Sequence, residues 1–468
     1  MRKHRLFVPV LAIAALPFAA DAQTTAADPT LAVDAVFERW SSDQSPGCAV
    51  GIAENGATML ARAYGMADLE HDVRNTPLTI FEAGSVSKQF TAAAIVLLAL
   101  DGKLSLEDDV RKYVPEVPEY DRPITIRHML THTSGLRDWG AVAGISGWGR
   151  GSRIHTHDHM LDIVSRQSAL NFEPGHEYSY SNTGYNLLVV VVDRVSGMPF
   201  AEFTKTRLFE PLGMSSTQWR DDYTRIVKGR AVAYSPRQGG FALNMPFEDV
   251  HGNGGLLTTV GDLLTWTENL ETGELGGPEF LELMHRQGVL NDGSEISYAS
   301  GLMVGTLRGV PSVSHTGSTA GYRAYLGRYP DQRLAVAILC NAGNANPGQL
   351  GSQVAEAVLG DALEPAPGPT ERTQELPAPY APAAEDLALY PGEYYSDDAE
   401  TTLTIVVDGD RVTLHRRPNT RILLAPIGRD RYRSQLGVLE FMRDADGRVT
   451  ELSVQQARVY DMRFQKAR

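Results

Sequence analysis

Residues 86–100 are apolar around nearly the whole circumference of a helix: Phe90, Ala92, Ala93, Ala94, Ile95, Val96, Leu97 and Leu98 leave no polar stripe, and Gly102 marks the end. No surface position suits such a helix, so the rest of the chain must wrap it from all sides. With 468 residues, 43% of them hydrophobic, the chain is long enough to build that wrapping and a second unit besides.

Strand-like runs lie on both sides of this helix in sequence. Residues 48–53 and 58–64 are joined through Asn55-Gly56, a dipeptide suited to a tight hairpin, and are preceded by Leu31, Val33, Val36, Phe37 and Trp40 on one helix face. Helical segments follow near 156–167, 184–196 and 260–270. Strands then return at 299–304, 312–315, 324–329 and 334–340, the last two linked by Pro330-Asp331. Strands at both ends of a helical middle predict one sheet assembled from distant segments.

Six prolines between Pro365 and Pro382 mark an extended linker, placed at residues 361–386 between a body of residues 23–360 and a tail of residues 387–468. In the tail, runs at 402–408, 411–416, 421–427, 432–435, 438–443 and 449–455 read as short strands, with Asp408-Gly409 and Asp446-Gly447 as turns. An antiparallel β-barrel of lipocalin-like kind is expected there.

The first 22 residues have the form of a cleavable export signal: Arg2, Lys3 and Arg5, an apolar stretch from Leu6 to Phe18, and Ala20-Asp21-Ala22 before a cut after Ala22. A periplasmic or secreted protein is expected, with no membrane span. Of 43 basic and 57 acidic side chains the signal holds three and one, so the mature chain keeps 40 and 56, a formal charge of −16. That sign argues against a nucleic-acid partner. The sequence carries no sign of oligomeric state.

Serine becomes a good nucleophile only when a base takes its proton, and a lysine three residues on along a helix lies on the same face. Ser85-Val86-Ser87-Lys88 has this spacing at the start of the buried helix. There, unpaired backbone N–H groups favour a developing oxyanion and help depress a lysine pKa from its usual value of about 10.4. With seven lysines in the chain the spacing alone is a weak signal. Two further motifs add to it: Tyr180-Ser181-Asn182, and His315-Thr316-Gly317 followed by Ser318 at a strand end.

Taken in order, SxxK at 85–88, YxN at 180–182 and HTG at 315–317 resemble the serine β-lactamase and penicillin-binding-protein family, most closely its class C, D-aminopeptidase and esterase branch. The stretches 80–84, 126–136 and Gly252-Asn253-Gly254-Gly255-Leu256 agree with it, and the likeness covers roughly residues 30–360. The resemblance implies an α+β fold, an α/β sandwich whose antiparallel sheet is flanked by helices, with a mostly helical second lobe. It implies that Ser85 is acylated, with Lys88 as general base and Tyr180 relaying a proton, either of the two being the free base. Asn182, His315 and Gly317 would meet the substrate, and the backbone N–H groups of Ser85 and Ser318 would form the oxyanion hole. A small-molecule or peptide substrate is implied, and neither metal nor other cofactor. The family's sheet would also set the first strand beside the last, bringing Cys48 and Cys340 together as a disulfide.

Where many relatives carry lysine, this chain has His315, whose imidazole is mostly neutral at pH 7. Weaker carboxylate recognition is expected, favouring D-amino acid peptides or small esters. The alternatives are a β-lactamase or DD-carboxypeptidase of the same fold, or a penicillin- or peptide-binding receptor or pseudoenzyme without turnover. A zinc reading of His155-Thr156-His157-Asp158-His159 gives way to a capped helix start at Thr156, and His128 and His132 are expected to be structural. No G-x-S-x-G pentapeptide occurs, which removes the α/β-hydrolase alternative.

Overall fold

The computed structural model describes residues 29–366, 368 and 380–467. The expected export signal and the middle of the proline-rich linker lie outside the described residues. Helix α1 (Thr30–Phe37) leads into strands β1 (Cys48–Glu54) and β2 (Ala57–Tyr64). Their turn holds Asn55 and Gly56 at φ of 52° and 77°, the left-handed conformation for which this dipeptide is suited.

The chain then leaves the sheet for α2 (Lys88–Leu100), α3 (Trp139–Ser146), α4 (Asn182–Ser196) and α5 (Val260–Thr272). It returns in β3 (Met303–Leu307), β4 (Val310–Thr319), β5 (Tyr322–Tyr329) and β6 (Leu334–Cys340), and α6 (Pro347–Leu359) follows. The sheet runs β3-β4-β5-β6-β1-β2 with every neighbouring pair antiparallel.

Alternation along β1 sorts its residues between two cores. Cys48, Val50 and Ile52 join the cluster under α1 and α6, whereas Ala49 and Ala53 belong to the cluster that surrounds α2. Gly51 lets α5 close on the sheet, since a Cβ there would stand 3.0 Å from Leu264. Helix α2 is buried at every residue from Lys88 to Leu98, as its apolar circumference demands.

Two boundaries differ from expectation. The first turn at the serine is a 3₁₀ turn, Gly84–Ser87, and the α-helix proper starts at Lys88. The strand expected at 299–304 begins only at Met303, because the chain before it crosses the start of α2. There Gly301, at φ 76°, approaches so closely that a Cβ would lie 2.7 Å from the Gln89 nitrogen.

The tail is a closed barrel of strands in sequential order: β7 (Gly392–Ser396), β8 (Thr401–Asp408), β9 (Arg411–Arg416), β10 (Thr420–Gly428), β11 (Arg431–Ser434), β12 (Gly437–Arg443), β13 (Val449–Gln456) and β14 (Val459–Lys466). The first and last of these were not foreseen, and their pairing, Tyr394 opposite Lys466, closes the cylinder. Tyr394, Leu403, Leu414, Leu452 and Phe464 fill the interior, and Tyr390 stacks on Phe441 at 4.0 Å.

The barrel is docked on the larger unit by specific bonds. Val142 and Ile145 of α3 enter the barrel's apolar cluster, and Arg417 Nε donates to the Ser146 carbonyl at the C-terminal end of α3. Buried Arg137 pairs with Asp398 at 2.5 Å and donates to the Asp461 carbonyl at 2.7 Å. Among the described residues no helix is long and apolar enough to cross a membrane.

Candidate active site

Ser85 lies half-buried in a cleft of about 590 Å³, on the 3₁₀ turn that feeds α2. The turn is held against β4 by two glycines at a contact too close for side chains. A Cβ on Gly84, at φ 51°, would stand 2.5 Å from the Ser318 nitrogen, and one on Gly317 would stand 2.0 Å from the Ala83 carbonyl oxygen and 3.1 Å from the Ser85 nitrogen. The backbone nitrogens of Ser85 and Ser318 both border this contact, and both residues line the cleft.

Lys88, the first residue of α2, is wholly buried beneath the serine. Its Nζ is 2.7 Å from the Asn253 carbonyl oxygen, 2.9 Å from Asn182 Oδ1 and 3.2 Å from Ser85 Oγ. Burial first, then the guanidinium of Arg458, push its pKa well below the ordinary lysine value, against the opposing pull of Asp138. A neutral amine has two N–H groups and one lone pair. Two of its neighbours are carbonyl oxygens that can only accept, so in the neutral form the protons go to them and the lone pair is left for the Ser85 hydroxyl.

Asn182 opens α4 and is itself fixed. Its Nδ2 and its backbone N–H both donate to Asp138 Oδ2 at 2.8 Å, which orients Oδ1 toward Lys88. Asn253 is held from the other side, its Oδ1 accepting from Asn186 Nδ2 at 2.8 Å. The sequence pointed to Asn182 as a substrate ligand; the structure also makes it an acceptor for the amine.

The Tyr180 ring packs at a tilt against His132, centroids 4.2 Å apart, with Lys88 Nζ 4.8 Å from its centre. Burial raises the phenol's pKa and Ser85 only partly offsets this, so it is a neutral O–H at pH 7. His132, expected to be structural, accepts the Ser181 N–H at 3.2 Å and so holds the tyrosine segment. His315 is pinned between the Thr316 carbonyl oxygen at 2.6 Å and the Tyr298 hydroxyl at 3.1 Å. Burial and nearby Lys88 push its pKa down to about 4, so it carries no charge at neutral pH.

The cleft thus brings together Ser85, Tyr180, Asn182, His315, Gly317 and Ser318, with Lys88 buried beneath Ser85. It also contains residues that no motif announced: Arg150, Arg323 and Arg458 line it, the last from the turn between β13 and β14. Tyr298 and Asp138 support it from behind. Cys48 and Cys340 face each other across β1 and β6, their sulfurs 2.10 Å apart in a disulfide.

The histidines of the 155–159 segment turn to separate partners. His155 Nε2 meets the Trp148 carbonyl, His159 caps the helix with Thr156, and His157 packs on His251. Among the described residues the one group with donor atoms close enough for a metal is Asp68, Glu70 and His71, which lines no part of the cleft.

A sequence model of the Beta-lactamase family matches residues 32–359. Penicillin-binding protein 4* of Bacillus subtilis (strain 168) is 28% identical over 408 residues, covering 81% of this chain and 86% of that protein. The D-aminopeptidase of Gluconobacter oxydans (strain 621H) is 27% identical over 336 residues, 71% of this chain and 61% of that protein. Among solved structures, the octameric penicillin-binding protein homologue from Pyrococcus abyssi superposes with a TM-score of 0.62 at 25% identity, covering 92% of this chain and 98% of that one. Both the fold around the cleft and the sequence that builds it place the chain in the beta-lactamase family.

Proposed function

We propose that this chain is a serine hydrolase that forms an acyl-enzyme on Ser85 and cleaves esters or amides, with D-amino acid peptides or small esters as favoured substrates. The observation that carries the reading is the buried Lys88 amine, its Nζ held by two carbonyl oxygens at 2.7 and 2.9 Å and 3.2 Å from Ser85 Oγ. In this reading Lys88 accepts the serine proton as Oγ bonds to the substrate carbonyl carbon. The oxyanion so formed meets the N–H groups of Ser85 and Ser318. Tyr180, protonated at rest, passes a proton to the leaving nitrogen or oxygen as its bond to the carbonyl carbon breaks, and takes up the proton that Lys88 received. A water then attacks the ester by the same route in reverse, releasing the acid and restoring the Ser85 hydroxyl. The D-aminopeptidase relative supports the D-amino acid preference.

Labelling with a fluorophosphonate followed by peptide mapping tests the reading, together with turnover of p-nitrophenyl esters, D- and L-aminoacyl amides and nitrocefin. Label is expected on Ser85, with turnover abolished in Ser85→Ala. An unlabelled Ser85 in folded protein overturns the mechanism, and stoichiometric acylation without turnover would mark a receptor instead.

A further inference from the structure

The cleft is positively charged in a protein whose formal charge is −14. Three arginines line it, and no carboxylate does. Two of the three are already engaged: Arg150 is ion-paired with buried Glu248, and Arg323 donates to the carbonyls of Ala320 and Tyr322 at 2.8 and 2.7 Å. Arg458 differs. Among the described residues its guanidinium makes no hydrogen bond; it lies 4.9 Å from the centre of the Tyr180 ring and 3.8 Å from Asp138 Oδ2. Asp138 is committed elsewhere, accepting from Ala141 N–H and from both donors of Asn182.

The position of this guanidinium is built. The Arg458 carbonyl accepts from the Asp138 N–H at 3.2 Å and from Asn171 Nδ2 at 3.0 Å, while Asn171 Oδ1 accepts the Tyr460 N–H at 2.9 Å. Arg137 holds the next residue, Asp461, by its carbonyl. The β13–β14 turn is thus clamped to the larger unit at Arg458 and at the two residues Tyr460 and Asp461 beyond it, and 44% of the arginine side chain remains exposed.

We infer that Arg458, delivered by the C-terminal barrel, is a specificity residue that receives a carboxylate on the leaving-group side of the substrate. The inference rests on the hydrolase reading above and amends one expectation within it. His315 is neutral, as its residue type foretold, but the charge missing there stands on Arg458. Because Arg458 overlies Tyr180, the group that would protonate the leaving atom, the carboxylate belongs close to that atom, as in an amide whose leaving amino acid has a free α-carboxylate. Guanidinium and carboxylate suit each other as a two-pronged pair, which a lysine at position 315 could not offer.

The test measures how well N-acetyl-D-alanyl-D-alanine and its C-terminal amide each slow fluorophosphonate labelling of Ser85, in wild type, Arg458→Gln and Arg458→Lys. The ratio between acid and amide is read within each protein, so any change in serine reactivity cancels. A charge-assisted contact predicts that wild type is protected about 10- to 100-fold better by the acid, that Arg458→Gln loses the preference, and that Arg458→Lys recovers part of it. Equal protection by acid and amide in wild type, or an undiminished preference in Arg458→Gln, overturns the inference. Failure of Ser85 to label without any competitor would instead overturn the hydrolase reading.

Discussion

Substituting alanine for Gly317 probes the proposed oxyanion site at its tightest contact. The added Cβ would stand 2.0 Å from the Ala83 carbonyl oxygen and 3.1 Å from the Ser85 nitrogen. Strand β4 and the Gly84–Ser87 turn must part by about 1 Å before that contact is tolerable, since packed cores do not absorb such overlap in place. A donor 2.9 Å from an oxyanion moves to about 3.9 Å by the same step and ceases to be a hydrogen bond. Loss of one such donor costs about 2.7–4 kcal/mol of transition-state stabilisation, a fall in kcat of about 10²- to 10³-fold. The strain itself should cost about 1–3 kcal/mol of stability, leaving the protein folded at 25 °C. The assay is kcat on a p-nitrophenyl ester beside a urea melt of the same sample. A folded Gly317→Ala protein retaining kcat within about threefold of wild type would refute the reasoning, because no donor worth 10²-fold would then have been displaced.

Three further outcomes are expected. The rate of Ser85 acylation should rise with pH through the depressed pKa of Lys88, since only the neutral amine accepts a proton, and level off well below the ordinary lysine value of about 10.4; a limb that follows an unperturbed lysine would contradict the buried amine. Burial pushes His157 to about 3 and His251 and His315 to about 4, so the unfolded chain binds more protons than the fold as pH falls below the usual value of about 6.5. Stability should be fully present above that value and fall toward pH 4, by up to about 1.4 kcal/mol per pH unit for each histidine, and His251→Asn should flatten the profile measured by urea unfolding. Finally, Cys48 and Cys340 should be alkylated only after reduction, and Cys48→Ala with Cys340→Ala should lower stability by up to about 5.7 kcal/mol, the loop-entropy value for a separation of 292 residues.

Local patterns made much of this readable. The circumference of α2 announced a central helix, Asn55-Gly56 announced its hairpin, and β6 and β9 have the bounds that alternation and turn residues indicated. The three motifs likewise named the groups that meet at Ser85, because their spacing along a helix start, a second helix start and a strand end survives as proximity. Arg458 left no such trace. It lies in a barrel turn 370 residues beyond Lys88 and reaches the cleft only through the docking of one unit on another, which periodicity cannot express. His132, read as structural, does hold the tyrosine segment, accepting the Ser181 N–H and packing against the Tyr180 ring. Strand β14 was hidden because the pairing of β13 with it shifts between Val454 and Gln456, which breaks the alternation of buried residues across the turn.

The order β3-β4-β5-β6-β1-β2 also has a bearing on how the molecule is made. Strand β1, apolar on both faces, is synthesised long before one of its two neighbours, β6, which ends at residue 340. During synthesis and any passage across a membrane, a half-finished chain carries an unpaired hydrophobic edge for some 280 residues, a template for pairing with other chains. Assembly of the sheet must wait for nearly the whole larger unit, so mutations that slow its completion should reduce yield well before they reduce the stability of the finished protein.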